Sequence, residues 1–244
     1  MSKATRRKSS VQSQSFAARL RSGVRRWAFR ALWAVLGFGL FVIVLFSIAN
    51  PPITPYMQAE SWRLGSVDHE WVAMEDIAPV MARSVVAAED ADFCLHWGLD
   101  VSAIQLAMAQ GGTRGGSTIS QQVVKNVYLW QDRSWFRKLL EALMTPVVEL
   151  VWSKNRILEV YLNIAEFDEG VFGVGAAAQH YFGVNASQLT ATQAARLAAV
   201  LPSPKTRSAS RPDRALIDRA SSIADGAATI LNDGRAACFT ATSG

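Results

Sequence analysis

VVAAEDADFCLHWGLD, residues 85–100, is the stretch on which the reading of this chain turns. Reading back from it, Met81, Val85 and Glu89 recur at intervals of four and so share one helical face, which makes a carboxylate the last member of an apolar stripe. A carboxyl group at the rim of an apolar surface loses hydration, holds its proton more tightly and can serve as a base. Taken alone, Glu89-Asp90 reads more readily as a solvated helix end, the commoner place for Asp and Glu. The rest of the chain reverses that preference.

Outward from this stretch the pattern is helical almost throughout. The spacing predicts a helix over Ile77–Glu89 capped by Asp76, and a second after Asp100 carrying Ile104, Leu106 and Met108. A glycine-rich segment, residues 111–116, follows, and its glycine content predicts mobility. A third helix spans Ser117–Trp130. A fourth runs from Trp135 to about Trp152, with Ser134 as cap and Pro146 in its interior, where a kink is expected. Ser153 caps a fifth containing Ile157, Leu158, Tyr161 and Leu162, and shorter helices are expected near 174–181, 191–201 and 213–231. No alternating strand pattern of convincing length appears, so the fold class is all-α, with one domain over residues 75–244.

The N-terminal part is of another kind. Lys3, Arg6, Arg7, Lys8, Arg19, Arg21, Arg25, Arg26 and Arg30 precede the first acidic residue, Glu60. Outside this arm the chain has 16 basic against 20 acidic residues, so the net charge of +5 does not describe a basic folded surface, and a nucleic-acid partner is not expected. The uncharged run Ala31–Ala49, 19 residues, has the length of a membrane-spanning helix. Flanking positive charge places the N-terminus in the cytoplasm and the rest outside. The chain thus divides into a basic cytoplasmic arm over 1–26, expected to be disordered, a transmembrane helix over 27–50, and an extended periplasmic connector over 51–74. Ser47-Ile48-Ala49 also has the form of a signal cleavage site, but the apolar run exceeds the roughly 7–15 residues of a signal core. Cys94 and Cys238 lie in the exported part, where a disulfide and two free thiols are both open. His69, His96 and His180 show no metal-ligand spacing.

The groups that carry chemistry cluster in the middle. Gly115-Gly116-Ser117-Thr118 permits close backbone approach, and the helix opening there presents unpaired N–H groups to an anion. Lys125, Arg133 and Arg137 follow closely enough to hold a phosphate or pyrophosphate, although each read singly is a solvated side chain. Arg137 and Glu141 stand one turn apart in the base-before-acid order, the less favoured one for a surface pair. Two carboxylates on separate helices, Glu89 and Glu141, suit chemistry at a sugar carbon, one deprotonating the attacking hydroxyl and the other assisting departure.

The succession Glu89-Asp90-x-x-Phe93-x-x-His96-x-Gly98-x-Asp100, Gly116-Ser117-Thr118-Ile119-x-Gln121-Gln122-x-x-Lys125-Asn126, Arg137-Lys138-x-x-Glu141 and Ile157-Leu158-Glu159-x-Tyr161-Leu162-Asn163 resembles the signatures of the peptidoglycan glycosyltransferase family of lysozyme-like fold. The resemblance covers residues 80 to about 205. It is closest to the family's monofunctional branch, because no Ser-x-x-Lys of a penicillin-binding domain occurs. It implies that Glu89 is the general base on the 4-hydroxyl of the acceptor, lipid II. Ser117, Thr118, Gln122, Lys125, Arg133 and Arg137 then hold the donor pyrophosphate. Glu141 is the second carboxylate, with a divalent cation, magnesium or manganese, beside it, and no organic cofactor is implied. Asp90, Phe93, His96 and Asn126 shape the substrate site, while Glu159, Tyr161 and Asn163 are structural supports. Undecaprenyl pyrophosphate is the leaving group. Lipid II, lipid-linked glycan, membrane lipid and proteins of division or elongation are the implied partners, at a bacterial inner membrane.

One departure is Gln193, where the family has Glu; Thr190-x-x-Gln193 is still a capping box. Two rival readings remain beside this one. A lysozyme-like hydrolase or lytic enzyme would use the same fold and glutamate without needing the basic cluster. A membrane-tethered scaffold would have no reason to keep either.

Overall fold

The computed structural model describes residues 3–101, 105, 116–132 and 134–240, with side chains from Arg21 onward. Arg133, residues 111–115 of the glycine-rich segment expected to be mobile, and most of the helix expected after Asp100 lie outside the described residues. The chain divides after Ile48 into two units.

The first unit is the helix α1 (Lys3–Phe46). The basic arm, expected to be disordered, is helical here and continuous with the apolar segment. The sequence explains this: no proline precedes Pro51, and Ala, Arg, Gln and Leu favour helix. From Arg21 to Phe46 the mean hydropathy reaches 2.3 and the segment is 6% buried, so Trp27, Leu32, Phe38 and Phe41 all face outward. An exposed helix that is apolar all round, and of this length, matches a bilayer interior.

The second unit begins with α2 (Pro55–Leu64), where the connector was expected to be extended. Thr54 caps it by accepting from the Met57 amide at 3.2 Å, and Pro55 takes the first helical position, where its missing N–H costs nothing. After β1 (Asp68–His69) and a 3₁₀ turn at Met74–Asp76 comes α3 (Pro79–Glu89). It starts two residues later than expected because Pro79 fixes the start, and Asp76 belongs to the preceding turn instead of serving as the cap. Next are α4 (Ile119–Tyr128), α5 (Trp135–Val151) and α6 (Lys154–Ile164), capped by Thr118, Ser134 and Ser153. Then β2 (Glu166–Asp168) and β3 (Val171–Phe172) lead into α7 (Gly173–Phe182), α8 (Ala191–Val200), α9 (Arg214–Asn232) and the single turn α10 (Ala237–Thr240). The Thr190–Gln193 capping box at α8 forms with glutamine.

The fold is mostly helical, as expected, with one addition. A small sheet of order β1-β3-β2 pairs β1 parallel and β2 antiparallel to β3. Strands of two or three residues are too short to show alternation, which is why the pattern concealed them. α9 packs on α3 and α8, and α4 packs on α5 and α6. Met81, Val85, Val123, Leu158 and Tyr161 are fully buried between these layers. The cysteines left open by the sequence are joined: Cys94 and Cys238 form a disulfide with Cα atoms 5.7 Å apart.

Candidate active site

Glu89 is the last residue of α3, and its side chain is 14% exposed. Gln122 of α4 donates from Nε2 to Glu89 Oε2 at 3.0 Å, and Tyr161 of α6 donates to Gln122 Oε1 at 3.3 Å. The Arg219 guanidinium of α9 stands 3.9 Å from the other carboxylate oxygen. Burial raises the Glu89 pKa above the usual glutamate value; the Gln122 bond, Arg219 and Lys125 oppose this, and Asp90 adds to it. Among the described residues this carboxylate has one neutral amide bond and a cation at 3.9 Å, which is little compensation for its burial.

Asp90, next to it, is buried and fully engaged. Its Oδ2 accepts the Ile119 amide at 3.0 Å, at the first turn of α4, and its Oδ1 accepts from His96 Nε2 at 2.8 Å. The Gly98 amide donates to His96 Nδ1 at 3.1 Å, which leaves Nε2 as the hydrogen-bearing nitrogen. Gly98 closes this turn at φ +78, and a Cβ there would stand 2.5 Å from Thr145 Cγ2. Phe93 was expected among the residues shaping the substrate site. It is 0% exposed, 6.5 Å from the His96 ring and under the Lys154 ammonium at 4.3 Å, so it packs beneath the turn.

The glycine-side residues divide. Thr118 is 3% exposed, and its hydroxyl donates to the Gly98 carbonyl at 2.6 Å while accepting from the Gln121 amide at 3.2 Å. Its hydroxyl is engaged by the turn and the helix cap. Ser117 Oγ accepts from Lys138 Nζ at 2.9 Å. Gly116, Ser117 and Thr118 line a hollow of about 280 Å³ with Glu89, Asp90 and Asp100. A second hollow, of about 160 Å³, is lined by Gln122, Lys125, Asn126, Gln131, Tyr56 and Glu166. Gln122 therefore faces the second hollow while holding the Glu89 carboxylate that lines the first. Asn126 is nearly buried and accepts from Gln131 Nε2 at 2.8 Å.

Glu141 is 2% exposed. Arg137 donates to its Oε2 at 2.7 Å and Lys138 to its Oε1, so the pair in the less favoured order does form, because both partners are drawn into the interior of the fold. Burial lowers the Lys125 pKa, with Arg137 and Lys138 acting in the same direction against Glu141 and Glu89. Lys125 makes no ion pair among the described residues. A half-buried cation with no ion pair among the described residues, within the field of Glu141, Glu89, Arg137 and Lys138, is suited to an anion supplied from outside.

Two residues at the site went unassigned in the sequence reading. Lys138 had a legible signal, its place three residues before Glu141 and next to Arg137. Arg219 had none, because it reaches Glu89 from a helix 130 positions later in the chain. Glu159 pairs with Arg156 at 2.6 Å, and Asn163, fully buried, exchanges hydrogen bonds with both backbone groups of Val72.

Beyond the cleft, α5 turns an apolar face outward. Phe136, Leu139, Leu143 and Leu150 recur at helical spacing, and Trp135 is 92% exposed. The same helix presents Glu141 inward.

The family model described as Transglycosylase matches residues 58–228. A protein of Jannaschia sp. (strain CCS1) named biosynthetic peptidoglycan transglycosylase is 56% identical over 236 residues, which is 97% of this chain and 99% of that protein. Proteins of the same name from Cronobacter sakazakii (strain ATCC BAA-894) and Caulobacter vibrioides (strain ATCC 19089 / CIP 103742 / CB 15) are 52% and 44% identical, covering 78% and 85% of this chain and 83% and 93% of their own lengths.

Proposed function

The chain belongs to the transglycosylase family, and from that we propose that it is a peptidoglycan glycosyltransferase that polymerises lipid II into glycan strands and releases undecaprenyl pyrophosphate. Glu89 takes the proton from the acceptor 4-hydroxyl as that oxygen attacks the donor's anomeric carbon. The observation that carries this reading is the placing of a desolvated, weakly partnered carboxylate, Glu89, near a cation with no ion pair among the described residues, Lys125, one turn beyond the Gln122 that holds Glu89. Burial keeps the proton affinity of Glu89 high enough for the carboxylate to be a useful base.

The leaving group is an anion from the start, so its departure needs charge neutralisation more than protonation. Lys125 is free to contact it, while Arg137 and Lys138 lie within reach of the same region through Glu141. Ser117 is held toward them by Lys138. Glu141 spaces these cations and offsets their mutual repulsion, which keeps them in place before the donor arrives. Arg133 is assigned to the same anion by the resemblance alone.

A divalent cation beside Glu141 fits these residues poorly. Both carboxylate oxygens already accept from cations, and among the described residues no group of three His, Cys, Asp or Glu side chains comes together. Magnesium or manganese at this place would be held mainly by the pyrophosphate oxygens.

The single N-terminal helix is long and apolar enough to cross a membrane. We place it in the bacterial inner membrane with the arm in the cytoplasm and the second unit in the periplasm, where a lipid-linked substrate is within reach. The apolar outer face of α5 suits contact with the same lipid surface. Association with division or elongation proteins belongs to the same reading, and co-purification from membranes tests it.

The deciding experiment gives purified full-length protein lipid II in detergent. Uncrosslinked polymer and undecaprenyl pyrophosphate are expected from the wild type and neither from Glu89→Gln. Shortening of preformed glycan without lipid II consumption would instead establish the hydrolase.

A further inference from the structure

The turn that carries Glu89 and Asp90 is held from outside by a segment beyond the family match, which ends at residue 228. After α9, Gly234 reverses the chain at φ +79. Arg235 then donates from Nη1 to the Ala91 carbonyl at 3.0 Å and stands 3.4 Å from Asp92, so it grips the two residues that follow Glu89-Asp90. Its Nε is fixed by Asp233 at 2.8 Å. Cys238 is bonded to Cys94. The Phe239 ring, 1% exposed, lies 6.4 Å from Phe93, and the Phe239 carbonyl accepts from Asn155 Nδ2 of α6 at 2.7 Å. Three kinds of attachment, an ion-dipole grip, a covalent bond and an aromatic contact, thus converge on residues 91–94.

On its inner side the same turn is tied without a covalent link: Asp90 accepts from Ile119 of α4 and from His96, Thr118 donates to the Gly98 carbonyl, and Lys154 donates to the His96 carbonyl at 2.8 Å. Among the described residues Glu89 itself is held by one hydrogen bond, from Gln122, and by Arg219 at 3.9 Å. A base displaced by even about 1 Å loses on the order of a hundredfold in rate, so the rigidity of this turn bears directly on turnover.

We propose that residues 234–240 form a strap, fastened by the Cys94–Cys238 disulfide, that positions the Glu89–Gly98 turn for transfer, with Arg235 and Phe239 as positioning residues. None of them touches substrate. The proposal rests on the polymerase reading above, and part of its test does not.

The test uses full-length protein in detergent. Dithiothreitol supplies two electrons and two protons to the disulfide, giving two thiols and its own cyclic disulfide. Reduced wild type and the Cys94→Ser/Cys238→Ser variant are each expected to lose about tenfold or more in kcat. KM for lipid II should stay within about twofold, because the donor cations lie on α4 and α5, away from the strap. Far-UV circular dichroism should be unchanged. Arg235→Ala, which keeps the disulfide, should show a smaller loss of the same kind, and Arg235→Lys should restore part of it. Amide exchange over residues 91–98 should accelerate on reduction while α4 and α6 stay protected. Turnover equal to that of oxidised wild type in both disulfide-free proteins overturns the strap and leaves the polymerase reading standing. A fall in kcat matched by an equal rise in KM also overturns it. Unchanged exchange over 91–98 overturns it whichever way the kinetics fall. Oxidised wild type that consumes no lipid II overturns the polymerase reading and the strap's catalytic role together.

Discussion

Replacing Glu89 by glutamine should make the enzyme inactive and more stable at once. The side chain is 14% exposed, one neutral bond from Gln122 reaches it, and Arg219 is 3.9 Å away, so the native carboxylate is short of compensation. Glutamine is nearly isosteric, keeps an oxygen for Gln122 Nε2 and carries no charge to desolvate. Leaving a buried polar group undercompensated costs roughly 1–3 kcal/mol, and this is the stability expected to return in Glu89→Gln at neutral pH. For a domain of this size that corresponds to a rise in Tm of roughly 2–12 °C. The pH dependence has a definite sign. Burial raises the folded-state pKa above the unfolded one, so the native state holds the proton more tightly. Stability from this group is fully present below the ordinary glutamate range and is lost as pH rises through the raised value. The gap between variant and wild type should therefore open from acid to neutral pH. The assay is thermal unfolding followed by circular dichroism at a series of pH values, alongside lipid II polymerisation, which should fall by about 10²–10⁴-fold. A variant less stable than wild type at neutral pH, or a difference that does not change with pH, would refute the account of Glu89 as a desolvated base. Wild-type turnover would refute its role.

The other predictions concern the supports. Lys138→Ala removes a partner from both Ser117 and Glu141 and should lower turnover by about 100-fold, read in steady-state polymerisation; an effect under twofold would exclude it from the donor site. Phe93→Ala empties a fully buried position and should cost roughly 3–5 kcal/mol in denaturant unfolding, whereas a residue that only touched substrate would leave stability unchanged. Gly98→Ala meets both the positive φ and the Thr145 methyl at 2.5 Å, and should destabilise by about 2–4 kcal/mol and slow turnover by loosening Thr118 and His96. Lys125→Met should raise KM for the donor while leaving the fold intact, since no described residue depends on its charge; unaltered kinetics would remove it from the pyrophosphate site.

The helices and most of their caps were legible in the chain because they depend on near neighbours. Ser134, Ser153 and the Thr190–Gln193 box each act within three residues of themselves. The exceptions are equally local in cause: Pro55 starts a helix in the connector, and Pro79 displaces the start of α3 from Asp76. The small sheet escaped because its strands are too short to carry a period. At the site, the motif order placed Glu89, Gln122, Lys125, Arg137 and Glu141 in one group, and the fold brings Gln122 to Glu89 and Arg137 to Glu141. Motif membership did not separate residues that face the cleft from those that hold it. Phe93 and Asp90 stand in the motif of Glu89, and Thr118 in that of Gln122 and Lys125, yet their polar atoms or ring faces are spent inside the protein.

By itself the sequence determined that the chain is helical, that it carries a membrane-length apolar helix behind a basic arm, and that its glutamates and cations follow one another in the order of a glycosyl-transfer site. Periodicity, capping and charge patterning act over a few residues and survive in one dimension. Only the tertiary structure decided which of those residues is left in want of a partner. That Arg219 reaches Glu89, that Lys125 has no ion pair among the described residues while Arg137 and Lys138 share Glu141, and that Cys238 is bonded to Cys94 all depend on segments distant in sequence being packed together. Burial and the supply of partners, which set the reactivity of a carboxylate or an ammonium, are properties of that packing.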